Sequence, residues 1–177
     1  MERLKLFLSA NPTATVEQIT DELRHTQTMA SLRPADRIII YLGAVFTENC
    51  VANNEISTYA SVLRALASST IQQRHLIAAF EWLCGTHYTS KLKFFPILLK
   101  QLLDEELVEE DVFLSWAGDF TRNEYSAEQS MVCLDTLEQL KLSAQPFITW
   151  LQEAEEEGES SDDGEEEEES SGDSEEA

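Results

Sequence analysis

The stretch Pro34-Ala-Asp-RIIIYLGAVF, residues 34–46, decides the fold class. By composition alone "RIIIYL" could be a buried strand, because a short β-branched run suits either state. Its flanks favour a helix. Pro34 is well placed in a first helical turn, where its missing N–H is no loss, and the apolar run continues into "GAVF". A helix from Pro34 to about Glu48 is expected.

The punctuation on either side agrees. Thr15-Val-Glu-Gln18 reads as a capping box opening a helix to about residue 28. Asn53 or Asn54 can cap "EISTYASVLRALA". Ser69-Thr-Ile-Gln72 is a second capping box, for "QQRHLIAAFEWLC", with Gly85 as a natural stop. Pro96 starts "PILLKQLLDEE", and Glu109, Glu110 and Asp111 start "VFLSWAGDF", where Phe113, Trp116, Ala117 and Phe120 share one face. Ser126-Ala-Glu-Gln129 is a third box, ahead of "MVCLDTLEQL"; a separate last helix opens at Pro146 with "PFITWLQEAEEE", where Phe147, Trp150, Leu151 and Ala154 form an apolar stripe. Eight or nine short helices of about 8–16 residues, with small links, predict an all-α fold of antiparallel helix pairs, either a bundle or a short solenoid.

Charge divides the chain. Residues 1–100 hold 10 Lys/Arg against 8 Asp/Glu, a net of +2; residues 101–152 hold 2 against 11, a net of −9; residues 153–177 hold none against 15, a net of −15. After Ala154 the only apolar residue is Ala177, so the tail cannot bury enough surface to offset its ordering entropy. The expected organisation is a helical domain over 1–157 and a disordered Ser/Glu-rich tail over 158–177. So negative a C-terminal half repels nucleic acid and anionic membranes and attracts basic partners.

Familiar enzymatic patterns are missing from the sequence: it has no GxSxG, no glycine-rich phosphate loop and no HExxH. His25, His75 and His87 stand alone, and Cys50, Cys84 and Cys133 are widely spaced without a CxxC pair. These predict three buried thiols in a reducing compartment, a cytoplasmic monomer, and neither metal nor cofactor.

Two acidic-aromatic clusters carry the functional signal. The first is "LLDEELVEEDVFLSW", with Asp104, Glu105, Glu106, Glu109, Glu110, Asp111 and Trp116; the second is "PFITWLQEAEEE", with Trp150, Glu153, Glu155, Glu156 and Glu157. Six carboxylates in eight positions repel one another, and the only cations after Lys100 are Arg122 and Lys141. The helix dipole rewards at most the three at a helix start. A ligand bringing Lys or Arg relieves the repulsion, but an exposed ion pair contributes only about 0–1 kcal/mol, so several pairs plus apolar anchors are needed. Carboxylates flanking Trp116 and Trp150 are therefore expected to form an outward-looking cradle for cationic chain. In the tail, Ser160 and Ser170 have an Asp at +3, and Ser161 and Ser174 precede two acids, so all four are candidate phosphorylation sites for an acidophilic kinase.

These two clusters resemble the paired acidic-aromatic boxes of the W2 domain, which closes translation initiation factor five, the epsilon subunit of the exchange factor for initiation factor two, and the factor-five mimic proteins. The resemblance covers residues 90–157 well and is weak before residue 70. It implies an atypical HEAT-type stack and a non-enzymatic hub whose boxes engage lysine-rich segments of the initiation factor two beta subunit. It also implies contacts with initiation factor one and a subunit of initiation factor three, on a basic area for which Arg64, Arg74, His75, Lys91, Lys93 and Lys100 are the candidates. The zinc-binding, GTPase-promoting half of initiation factor five has no counterpart in the sequence, so no acceleration of GTP hydrolysis is expected. Two alternatives stay open: the catalytic end of the exchange factor, promoting GDP release, and an acidic chaperone of basic proteins.

Overall fold

The computed structural model describes residues 1–119 and 132–159, and its regular elements are helical. They are α1 (Glu2–Ala10), α2 (Val16–Met29), α3 (Asp36–Val45), α4 (Glu55–Leu66), α5 (Thr70–Trp82), α6 (Phe95–Asp104), α7 (Glu110–Gly118) and α8 (Leu134–Glu159). A π-helical turn (Leu83–His87) and a 3-10 segment (Thr89–Phe94) join α5 to α6. Each helix packs against the next but one: α1 on α3, α3 on α5 and α5 on α7 in one layer, α2 on α4, α4 on α6 and α6 on α8 in the other. Between layers, α1 pairs with α2, α2 with α3, α3 with α4, α5 with α6 and α7 with α8, as in a short solenoid of helical hairpins.

The deciding stretch is helical: Ile38 to Gly43 are all buried in α3. The Thr15 box forms both of its arms, Gln18 N–H to Thr15 Oγ1 (3.3 Å) and Thr15 N–H to Gln18 Oε1 (2.9 Å). The Ser69 box forms one; Gln72 turns its side chain to the Ser68 amide and hydroxyl instead. Asn54 precedes α4 in a left-handed conformation without a side-chain cap. The Ser126 box and Phe120 lie outside the described residues.

Two readings are corrected. Gly85 does not stop α5 in the left-handed region. It sits in the π-turn, where an added Cβ would lie 2.9 Å from Val132 Cγ1 and 3.0 Å from Thr136 Cγ2, so glycine here admits the start of α8. Pro146 does not begin a new helix; it lies inside the 26-residue α8. An interior proline ordinarily costs about 3 kcal/mol through a lost hydrogen bond and a clash with the residue four back. Here Leu142, the residue four back, is 76% exposed, so the proline lies on the solvent side of the helix. Leu137, Leu140 and Ala144 before the proline, and Phe147, Ile148 and Leu151 after it, are all buried. Tertiary burial on both sides holds the helix through the proline.

The end of α6 shapes the region that matters for function. Glu106 N–H reaches Leu103 O and Leu107 N–H reaches Leu102 O, both at 2.9 Å, closing a Schellman motif. That motif needs a left-handed residue, and the position is held by Glu106, φ 52°, where glycine is usual. The left-handed conformation costs a non-glycine residue roughly 1–2 kcal/mol, partly offset by glycine's greater freedom when unfolded. Glu106→Gly is therefore expected to raise stability by about 1 kcal/mol and the melting temperature by about 3 °C. Thermal denaturation of the two proteins checks this, and a lower melting temperature for the variant would contradict it.

Candidate functional site

Three side-chain pairings orient α8. Lys141 Nζ donates to the carbonyls of Trp116 (2.9 Å) and Asp119, Phe147 meets Phe113 edge-on with ring centroids 5.2 Å apart, and Lys100 Nζ lies 5.4 Å from the Trp150 ring centroid. Rising residue numbers in α8 thus match falling numbers in α7, and Lys100 sets Trp150 against the second half of α6. The C-terminal turns of α8, carrying Glu153 and the backbone of Glu155, Glu156 and Glu157, run toward the α6–α7 connection, where the first acidic cluster lies. The fold brings the two clusters to one end of the last hairpins.

The first cluster faces outward. Asp104, Glu106, Glu109, Glu110 and Asp111 are exposed, Glu105 is half-buried, and Glu153 is exposed. Asp104 is held by Lys100 (2.7 and 2.9 Å). Glu109 caps α7 by position and is locked to Gln73 of α5, whose Nε2 donates to Glu109 Oε1 (3.1 Å) while its Oε1 accepts from the Glu109 amide (3.0 Å). Arg64, at the end of α4, donates to the Glu105 carbonyl (2.7 Å) and so caps α6. Among the described residues no cation is in ion-pair range of Glu105, Glu106, Glu109, Glu110, Asp111 or Glu153. Among the described residues, what answers their mutual repulsion is the dipole of α7, together with solvent.

The tryptophans part company. Trp150 is 46% exposed, beside Lys100. Trp116 is 2% exposed and is not an outward anchor. Its Nε1–H donates to Glu81 Oε1 (2.7 Å), its ring packs edge-on to Phe95, and Lys141 lies over its face. The expected stripe of α8 is likewise rotated: Ile148 is buried with Phe147 and Leu151, while Trp150 and Ala154 stay outside.

Behind the acidic face lies a buried polar group that the sequence reading missed. Glu81 is enclosed within α5; its acid is pushed up to about 7, chiefly by burial, with the Trp116 hydrogen bond, Arg74 and Lys141 pulling it down and Asp119 pushing it up. Glu81 Oε2 has no hydrogen-bond partner. Burial lowers the Lys141 ammonium, against the pull of Glu81 and Asp119. The available signal was an acid inside the apolar run "LIAAFEWLC", since an acid so placed needs a buried partner.

The basic candidates do not share one surface. Arg74 is buried in an ion pair with Asp119 (2.9 Å) and His75 is half-buried. Arg64 and Lys100 belong to the acidic face itself. Lys91 and Lys93 flank the Phe94 ring at 5.5 and 5.1 Å. Cys133, expected to be buried with Cys50 and Cys84, is exposed just before α8. Ser160, Ser161, Ser170 and Ser174 lie outside the described residues. Among the described residues, no helix is long and apolar enough to cross a membrane.

The family model described as W2, eIF4-gamma/eIF5/eIF2-epsilon, matches residues 72–161, the half that carries both clusters. The chain belongs to the W2 family. Eukaryotic translation initiation factor 5 of Mus musculus is 34% identical to it over 94 residues, 53% of this chain and 20% of the relative. The protein of that name from Caenorhabditis elegans is 29% identical over 117 residues, 66% of this chain and 25% of the relative. The chain thus spans about a fifth to a quarter of these relatives' length. The solved structure "The C-terminal Domain of Translation Initiation Factor 5 at low pH" superposes with a TM-score of 0.66 over 92% of this chain and 96% of that one, at 21% identity. That likeness establishes the W2 fold for almost the whole chain, including α1–α4, before the family match begins.

Proposed function

We propose that this W2 domain serves translation initiation as a non-catalytic binding module, taking lysine-rich segments of the initiation factor two beta subunit onto its acidic face. The observation that carries this reading is that the exposed first cluster, at the α6–α7 connection, meets the end of α8 with exposed Trp150 and Glu153; among the described residues of the two clusters, Asp104 alone is held by a cation. The W2 relatives named eukaryotic translation initiation factor 5 support a partner among the initiation factors. Lys100 acts as a hinge of charge: it occupies Asp104 and steadies Trp150, leaving the other carboxylates for a partner. Initiation factor one and an initiation factor three subunit remain candidate partners for a second face, of which Lys91 and Lys93 around Phe94 are the supporting part.

Titration of a lysine-rich peptide tests the reading. Exposed pairs contribute about 0.5 kcal/mol each, so Glu106→Gln, Glu110→Gln and Asp111→Asn combined are expected to weaken binding about tenfold. Wild-type affinity should also fall from low to high salt as the charges are screened. Equal affinity for both proteins, or no dependence on salt, would defeat it.

A further inference from the structure

A basic segment held by exposed ion pairs alone binds weakly, and the sequence points to Trp116 as an apolar anchor for the first cluster. With Trp116 in the core, that part of the face needs another. The cleft between α5 and α7 supplies one. It has a volume of about 430 Å³ and is lined by Thr70, Ile71 and Arg74 from α5 and by Asp111, Val112 and Ser115 from α7, among others. Ile71 is 54% exposed, out of phase with the buried Gln73, Leu76, Ile77 and Phe80 of the same helix. Its neighbour across the cleft, Asp111, is the last acid of the first cluster. The walls are set in advance, because Gln73 grips Glu109 at one end of α7 and Arg74 pairs with Asp119 at the other. A partner therefore meets a slot, large enough for a side chain, whose apolar surface comes from Ile71 and Val112, beside Glu110 and Asp111, which no cation among the described residues pairs. Ordering these walls adds no further cost on binding.

We propose that the α5–α7 cleft is the apolar half of the acidic face: it receives an aliphatic or aromatic side chain of the bound lysine-rich segment, seated on Ile71 and Val112, while Glu110 and Asp111 at the rim hold neighbouring lysines. This rests on the reading that the acidic face binds a basic segment. It adds a sequence requirement, since lysines alone do not suffice and an apolar residue must stand among them.

Two peptides test it by fluorescence anisotropy at one salt concentration. They carry lysines at identical positions, spaced by serine in one and by leucine at two of the spacer positions in the other. The wild type is expected to bind the leucine-containing peptide about tenfold more tightly. Ile71→Ser, at an exposed position, should erase that preference while leaving the serine-spaced affinity and the melting temperature unchanged; Ser115→Phe, which fills the slot, should do the same. A wild type that binds the two peptides within twofold of each other overturns the proposal, as does a preference that survives both variants. The triple charge variant separates the two levels. If it loses affinity for both peptides while Ile71→Ser changes nothing, only the cleft assignment fails. If it loses affinity for neither, the acidic-face reading fails and the cleft assignment with it.

Discussion

Trp116→Ala is expected to destabilise the domain by about 3–5 kcal/mol, the range for truncating a large buried aromatic side chain. The loss has two sources. The indole fills the junction of α5, α6, α7 and α8, where it meets Phe95 and lies beneath Lys141. Its N–H is also, among the described residues, the one hydrogen-bond donor to the enclosed Glu81 carboxylate, at 2.7 Å. Whole-domain stabilities are only about 5–15 kcal/mol, so this single change removes a large share. Trp116→Phe separates the two sources. It keeps most of the packing and removes the donor, which is expected to cost about 1–3 kcal/mol at neutral pH, where Glu81 would be left with a buried acceptor unmet. Urea denaturation measures both costs. Affinity for a lysine-rich peptide should stay within twofold in Trp116→Phe, because the indole does not reach the surface. A Trp116→Phe protein with wild-type stability and lost peptide binding would contradict its placement in the core.

The second large effect is a dependence of stability on pH. Burial raises the Glu81 acid from 4.5 to about 7. Its folded value lies above its unfolded value, so its contribution is fully present below about pH 4.5 and is lost as pH rises through about 7. A gap of this size corresponds to about 3 kcal/mol. Many surface carboxylates titrate below this window and would obscure the trend in the wild type alone. The useful quantity is the difference between wild type and Glu81→Gln, which keeps an acceptor for Trp116 and cannot ionise. Relative to the variant, the wild type should lose about 3 kcal/mol between pH 4.5 and pH 8, most of it between pH 5 and pH 7. A difference that stays flat across this range would mean that Glu81 is not desolvated as described.

What could be read from the sequence was chiefly local chemistry. The capping arms of Thr15 and Gln18, the proline at the start of α6 and the acids at the start of α7 act within one turn of chain, so the residues that form them stand together. The helical state of "RIIIYLGAVF" was settled in the same way, by its flanks. Gly85 and Pro146 were misread because their roles depend on distant partners. Gly85 answers to Val132, just before α8, and to Thr136 within it, and Pro146 is carried by a stripe buried against α6 and α7. The acidic clusters were visible as charge, and their convergence needed the three pairings that orient α8. The tryptophans were the harder case. Helical spacing places Trp150 with Phe147 and Leu151, but the helix is rotated enough that Ile148 takes the inward place and Trp150 remains at the rim. Ile71 could have been noticed as an apolar residue out of phase with its own helix.

The convergence of the two clusters into one binding face is tested most directly by mapping amide chemical-shift changes as a lysine-rich peptide is added to the isotopically labelled protein. Residues 104–111 and 150–159 should shift together, along a single saturation curve, with α1–α3 unaffected. Shifts confined to one cluster, two clusters saturating at different peptide concentrations, or changes centred on α1–α3 would contradict the face described here.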